Sequence, residues 1–180
     1  SGHNHSPAIA ECPNGDLLAV WYSTVDEGGP ELCNLASRLR LGEQEWDPAS
    51  TFWDGPDVND HAPKLWWDGD QTILHFARAW QENIVRTSTD NGATWSKARL
   101  IQPVGEFGND LLRLKDGTMV LGNDSRQCSL VFSKDHGATW TKVAELNDPA
   151  DDFAYLGDGI VLYSTYRGKT ANAARDLDVR

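Results

Sequence analysis

The sequence is poor in cysteine, in basic charge and in long apolar runs. Three Cys stand far apart among 180 residues, so neither a Cys-x-x-Cys metal site nor a dense disulfide framework is available. Sixteen Lys and Arg face 27 Asp and Glu, for a net charge of −11, and no basic run occurs. Nucleic-acid binding is therefore not expected, because phosphate contacts need clustered cations. The longest apolar run, Leu17 to Tyr22, falls far short of the roughly 18 residues of a membrane span. No long segment carries a helical period, and no signal peptide is seen. What is abundant is Trp, with eight against five Phe and four Tyr. Rings in such numbers call for sheet-on-sheet packing or for stacking against ligands. At 39% hydrophobic and 24% charged the chain is globular, with enough length for one domain or two small ones.

A repeat organises the chain. Ser88-Thr89-Asp90-Asn91-Gly92-Ala93-Thr94-Trp95 recurs as Ser133-Lys134-Asp135-His136-Gly137-Ala138-Thr139-Trp140, 45 residues later. Short β-rich runs flank Asn14-Gly15-Asp16, Asp68-Gly69-Asp70, Asp116-Gly117 and Asp158-Gly159. Asn-Gly and Asp-Gly suit tight hairpins because both turn positions tolerate positive φ. The turn glycines 15, 69, 117 and 159 lie 54, 48 and 42 residues apart. A four-stranded antiparallel sheet repeating at this interval is the signature of an all-β propeller. The expected blades are residues 5–52, 60–102 and 108–148, with an incomplete one from 150 to 180. Residues 1–180 are thus a partial propeller of about four blades.

The shared pattern Ser-x-Asp-x-Gly-x-Thr-Trp resembles the Asp-box, or BNR repeat, of the sialidase (neuraminidase) superfamily. The resemblance covers essentially the whole chain. It implies a six-bladed β-propeller fold, of which this chain would be a fragment. The box itself has a structural task. Asp90 and Asp135 cap turn amides, the glycines take positive φ, and Trp95 and Trp140 wedge between sheets.

Antiparallel strands put the Asp-Gly turns and the repeated boxes on one face. The opposite face collects the approach to each first strand and the departure from each second strand. Approaches supply His3, His5, Asp57, Asp60, His61, Asn109 and Asp110. Departures supply Asp26, Glu27, Glu31, Arg78, Glu82, Asp124, Arg126, Tyr166 and Arg167. This face mixes acids, imidazoles and guanidinium groups, as a carbohydrate-processing pocket does. His75 lies inside a strand and is expected in the core.

The resemblance implies roles for some of these. His5-Ser6-Pro7 stands where sialidases place Arg-Ile-Pro, whose Arg grips the substrate carboxylate. Asp26, Glu27 and Glu31 stand where the acid/base Asp follows the first hairpin, and Asp60 where another family Asp precedes blade two. Arg126 and Arg167 match the second and third arginines of the substrate-binding triad. The Glu that activates the nucleophilic Tyr would fall near Asn109-Asp110, with no Glu in register there. The Tyr itself would lie beyond residue 180. Asp60, His5, Glu27 and Glu31 are thus the catalytic candidates. Arg126, Arg167, His61, Asn109 and Asp110 are the candidates for holding substrate.

The function expected is a sialidase-type glycoside hydrolase that removes an acidic sugar, sialic acid or a uronate, from glycans. Local Arg and His inside an acidic protein focus an anionic substrate into one pocket. A non-catalytic propeller that binds glycan or protein, and a polysaccharide lyase, are the alternatives. No cofactor is expected. His3 and His5 share a strand face but lack further ligands for a metal. The expected partner is a carbohydrate, which places the protein outside the cytoplasm, extracellular or periplasmic.

Overall fold

The computed structural model describes residues 2–80, 82–101, 106–124, 129–145, 150–157, 160–165 and 177–178. Beyond residue 101 the side chains described are those of residues 107, 111–122 and 129–142. The chain divides into two compact units, Ser1–Ile101 and Gln102–Arg180. Among the described residues there is no helix, and hence none long and apolar enough to cross a membrane. The all-β architecture of sequential antiparallel sheets is the one that the turn spacing predicts.

The first unit holds two four-stranded sheets. Strands β1 (His3–Glu11), β2 (Leu17–Thr24), β3 (Cys33–Leu39) and β4 (Ser50–Trp53) pair in chain order. Strands β5 (Asp60–Trp67), β6 (Ile73–Ala79), β7 (Glu82–Ser88) and β8 (Arg99–Ile101) do the same. The second unit repeats the pattern with β9 (Glu106–Arg113), β10 (Met119–Asp124), β11 (Ser129–Ser133) and β12 (Thr141–Glu145). A three-stranded sheet follows, of β13 (Ala150–Gly157), β14 (Ile160–Thr165) and β15 (Leu177–Asp178).

Period-two patterning drives these pairings. Along β2, Leu18, Val20, Tyr22 and Thr24 are buried while their neighbours are only half-buried. Strand β6 is buried on both faces from Ile73 to Ala77, as a near-continuous apolar run allows. Between the two sheets of the first unit Ala10, Cys12, Leu18, Val20, Leu65 and Ile73 form an apolar core edged by Phe52, Trp67 and Trp95. Cys12 and Cys33 are free thiols. His75 is fully buried against Phe52 and Trp95. Desolvation, and then the nearby Arg86, push its pKa well below 6.5. Arg86 itself sits over the rings of Phe52, Trp53 and Trp95 at 5.2, 4.9 and 5.4 Å. Much of the Trp surplus is thus used in packing.

The hairpin turns differ from the expected two-residue type. The glycines at 15, 69 and 117 have φ of 86°, 83° and 85°, while Asn14, Asp68 and Asp116 keep negative φ. Gly15 donates to the Cys12 carbonyl, and Cys12 to that of Asp16; Gly117 and Leu114 repeat this with Leu114 and Thr118. The turns at Gly15 and Gly117 are thus longer ones closed by a left-handed glycine, whereas in the turn where Asp68 N–H donates to the Thr72 carbonyl the left-handed Gly69 directly follows Asp68.

The repeated motif builds the same turn twice. Ser88 Oγ lies 2.7 Å from Asp90, which accepts from Thr94 N–H at 2.9 Å and its hydroxyl at 2.5 Å. In the second unit Ser133, Asp135 and Thr139 reproduce these bonds at 2.8, 2.8 and 2.6 Å. Asn91 and His136 take positive φ at equivalent places. The first copy also locks the two sheets of its unit together. Arg38 donates to the Asn91 carbonyl at 2.6 Å, and Asn14 N–H to the Asn91 side chain at 3.0 Å. A Cβ on Gly92, whose φ is 76°, would meet Arg38 and Leu18 at 3.1 Å each.

All four first strands carry a register shift at the end away from their hairpin turn. The shifts fall between His5 and Ala8, between His61 and Lys64, opposite Leu121–Asn123, and between Ala150 and Phe153. The first two surround the related segments His5-Ser6-Pro7 and His61-Ala62-Pro63. Pro cannot donate to a ladder and is tolerated at such bulges. Ser6 and Ala62 there have φ of 48° and 49°. A bulge re-aims the side chains beside it, and here the re-aimed residues are two histidines.

Candidate functional site

At the bulged end of the first sheet, β1 and β2 bring His5 opposite Tyr22. The Tyr22 hydroxyl makes two contacts there. It donates a short hydrogen bond to Glu27 Oε1 and lies 2.8 Å from His5 Nδ1. Glu27 Oε1 also lies 2.9 Å from His3 Nε2 and 3.4 Å from His5 Nδ1, ion pairs that form when an imidazole is protonated. The His61 ring packs on the Tyr22 ring at 4.7 Å between centroids. Four of the five side chains reach solvent to some degree, whereas Tyr22 is fully buried. Tyr22 is thus the anchor that aims Glu27 and His5 outward.

The loop that carries Glu27 is held from several sides. Thr24 Oγ1 donates to the Asp26 carbonyl at 2.7 Å, and Gly28 N–H donates to the Asp26 side chain at 3.0 Å. Buried Asn59 donates from Nδ2 to the carbonyls of Glu27 at 2.7 Å and Gly29 at 2.9 Å. This fixing orders the loop before any ligand arrives. The Tyr22 hydroxyl first, and the charge of nearby His3 next, hold the Glu27 carboxyl below its ordinary 4.5. At neutral pH it is an exposed anion beside two proton carriers. Such a group can act as base or nucleophile, while an adjacent imidazole can move a proton or face an anion.

The candidates from the sequence divide accordingly. His5, Glu27 and His61 come together, joined by His3. Asp60 neighbours His61 in the chain, but its carboxylate is buried in the 53–55 loop. There it accepts from Trp53 Nε1 at 2.8 Å and Gly55 N–H at 2.5 Å. Desolvation raises its pKa, the direction that suits an acid, yet no part of it faces solvent. Glu31 accepts from Asp26 N–H at 3.3 Å and folds over Gly29, where any Cβ would collide with it. It therefore braces the loop that presents Glu27. Asn109 and Asp110 lie on β9, with only their backbone described. Arg126 and Arg167 lie outside the described residues.

Two members were not singled out from the sequence. Tyr22 reads there as the end of an apolar run. Counting back from the Asn14-Gly15 turn would set it opposite Ser6, and only the bulge brings His5 into register. Asn59 had one signal, its place beside Asp60-His61. As for metals, the ligand atoms of His3, His5 and Glu27 lie within 4.8 Å of one another and are the group among the described residues that could hold a cation. That is one ligand short of the four of a structural zinc site. A separate cavity of about 210 Å³ lies against the motif turn, lined by Leu18, Arg38, Asp47, Phe52 and Gly92. Its Arg38 is bound to Asp16 at 2.9 Å and to Asn91.

The family model of the BNR repeat-like domain matches residues 15–144. The chain belongs to the BNR repeat-like domain family. This BNR repeat-like chain is similar in structure to the Hadza microbial sialidase Hz136, at 19% identity and a TM-score of 0.72, over 90% of this chain and 42% of that one. It is similar to the NanB sialidase of Streptococcus pneumoniae, at 10% identity and a TM-score of 0.70, over 93% and 49% of the two chains. It is also similar to the α-L-arabinofuranosidase Arb93A of Fusarium graminearum, at 17% identity and a TM-score of 0.64, over 94% and 58%. At these identities the likeness carries the fold, one used by glycoside hydrolases. The BNR repeat-like chain spans about half the length of these structures. No curated protein matches it in sequence.

Proposed function

We propose that this chain is part of a sialidase-type glycoside hydrolase that removes an acidic sugar, sialic acid or a uronate, from glycans. The observation that carries this is the exposed Glu27 carboxylate, gripped by buried Tyr22 and flanked by His3 and His5. Glu27 serves as the ionised base or nucleophile, and His5 moves the proton or, when protonated, faces the substrate anion. His61 contributes a ring surface beside them. By the resemblance to sialidases, Arg126 and Arg167 take the guanidinium role toward the sugar carboxylate, and Asn109 and Asp110 a role in holding substrate. Asp60 and Glu31 act through the loops they hold. The four sheets serve as blades over about 5–52, 60–102, 108–148 and 150–180. Glycans of this class place the protein outside the cytoplasm.

The test is a release assay on sialosides and uronate-containing oligosaccharides, using the full-length parent and its His5→Ala variant. Free acidic sugar from the parent, strongly reduced in the variant, is expected. An ultraviolet-absorbing unsaturated uronate would make the protein a lyase. Glycan binding without any product would make it a non-catalytic lectin-like propeller. Unchanged release by the variant would remove His5 from the chemistry.

A further inference from the structure

We infer that Trp80 is a stacking platform for a sugar ring next to the one released, so that the site takes oligosaccharides in preference to single sugars; this rests on the glycan-acting function proposed above. Trp80 opens the connection between β6 and β7, where Ala79 pairs with Glu82. Trp80 is 47% exposed, which leaves a large apolar ring open to a ligand. Its φ is 55°, a region that bulky side chains occupy rarely and at a cost.

The ring is nevertheless fixed. Trp80 Nε1 donates to the Asp57 carbonyl at 3.3 Å, and Trp80 N–H donates to the Asn59 carbonyl at 3.2 Å. Asn59 in turn holds the Glu27 and Gly29 carbonyls. The Trp80 backbone is therefore joined through Asn59 to the loop that presents Glu27, while its indole is held separately by Asp57. Backbone strain has the same distribution. Among the described residues, non-glycine positive φ occurs at Asn91 and His136 in the motif turns, and at Ser6, Asp57, Ala62 and Trp80 around the cluster. Strain of this kind persists where the surroundings over-determine it, and ligand clamps are such places.

The chemistry of the ligand follows from the ring. A pyranose presents a flat apolar array of C–H groups on one face and hydroxyls at its rim. A preset indole covers that face without losing rotamer freedom. The charged end of the substrate belongs at the His3–His5–Glu27 cluster, and the next ring along belongs on Trp80. If the residue served the hairpin alone, glycine would do as well, because it takes positive φ without strain.

The experiment uses the full-length parent with Trp80→Ala and Trp80→Gly. Turnover is measured on 3′-sialyllactose and a galacturonate tetrasaccharide, each beside the methyl glycoside of its terminal acidic sugar. Both variants should raise KM for the oligosaccharide roughly tenfold and leave KM for the methyl glycoside within about twofold. Trp80→Gly should melt at or above the wild-type temperature, which separates binding from folding. Wild-type KM in both variants on an oligosaccharide that the parent turns over would overturn the inference. If the parent turns over neither, the proposed function fails, and indole fluorescence decides the stacking alone. A saturable shift on adding either oligosaccharide, lost in Trp80→Gly, would uphold Trp80; its absence would overturn it.

Discussion

Asp90 and Glu27 are both carboxylates held below their ordinary pKa by hydrogen bonds, at opposite ends of their sheets. Asp90 draws its donors from its own turn, Thr94 above all and then Ser88, and its pKa falls to about 2. Glu27 draws its donors from Tyr22 on β2 and from His3 and His5 on β1. A carboxylate satisfied within four residues shapes a turn. One satisfied by groups converging from two strands, with its own face still open, is aimed at something outside the chain. The motif that stands out most in the sequence thus shapes turns, and the proposed chemistry uses the plainer end.

Four variants sharpen this contrast. Glu27→Gln should lower kcat/KM on the acidic sugar by about 10²–10⁴-fold while the melting temperature stays put. Tyr22→Phe keeps the ring and removes the hydroxyl that favours ionised Glu27. Its turnover should fall roughly tenfold to a hundredfold, and the acidic limb of the pH profile should move up toward 4.5, the ordinary value. At the other end, Gly92→Ala forces a side chain into positive φ and against Arg38 and Leu18. Denaturant unfolding should show a loss of roughly 1–3 kcal/mol, with turnover per folded molecule unchanged. The smallest effect is expected for Asp90→Asn. A depressed folded pKa contributes stability above the unfolded value that is lost as pH falls through the folded one. Wild-type melting temperature should therefore drop between about pH 4 and pH 2, given the folded value near 2, and Asp90→Asn should flatten part of that slope.

The sequence carries the fold well because turns and strand alternation are local. Gly15, Gly69 and Gly117 sit at positive φ as their turns require, and β2 alternates as its residues do. It carries the site less well because the site depends on an irregularity. Antiparallel geometry alone brings His5, Glu27 and His61 to one end. It does not reveal that a bulge at Ser6-Pro7 turns His5 onto Tyr22, nor that Asp60 bends into the 53–55 loop. Both depend on contacts between segments that simple alternation does not encode. The twin His-x-Pro segments at 5–7 and 61–63 were the available sign, since Pro inside a strand pattern points to a bulge.

The most direct measurement maps where an acidic oligosaccharide touches the molecule, by amide and side-chain chemical-shift changes on titrating 3′-sialyllactose or a galacturonate tetrasaccharide into the labelled parent protein. The account predicts shifts at His3, His5, Glu27, His61 and Trp80, with Asn91, Gly92 and His136 silent. Shifts gathered at the Ser-x-Asp-x-Gly turns, with the histidine cluster silent, would contradict it.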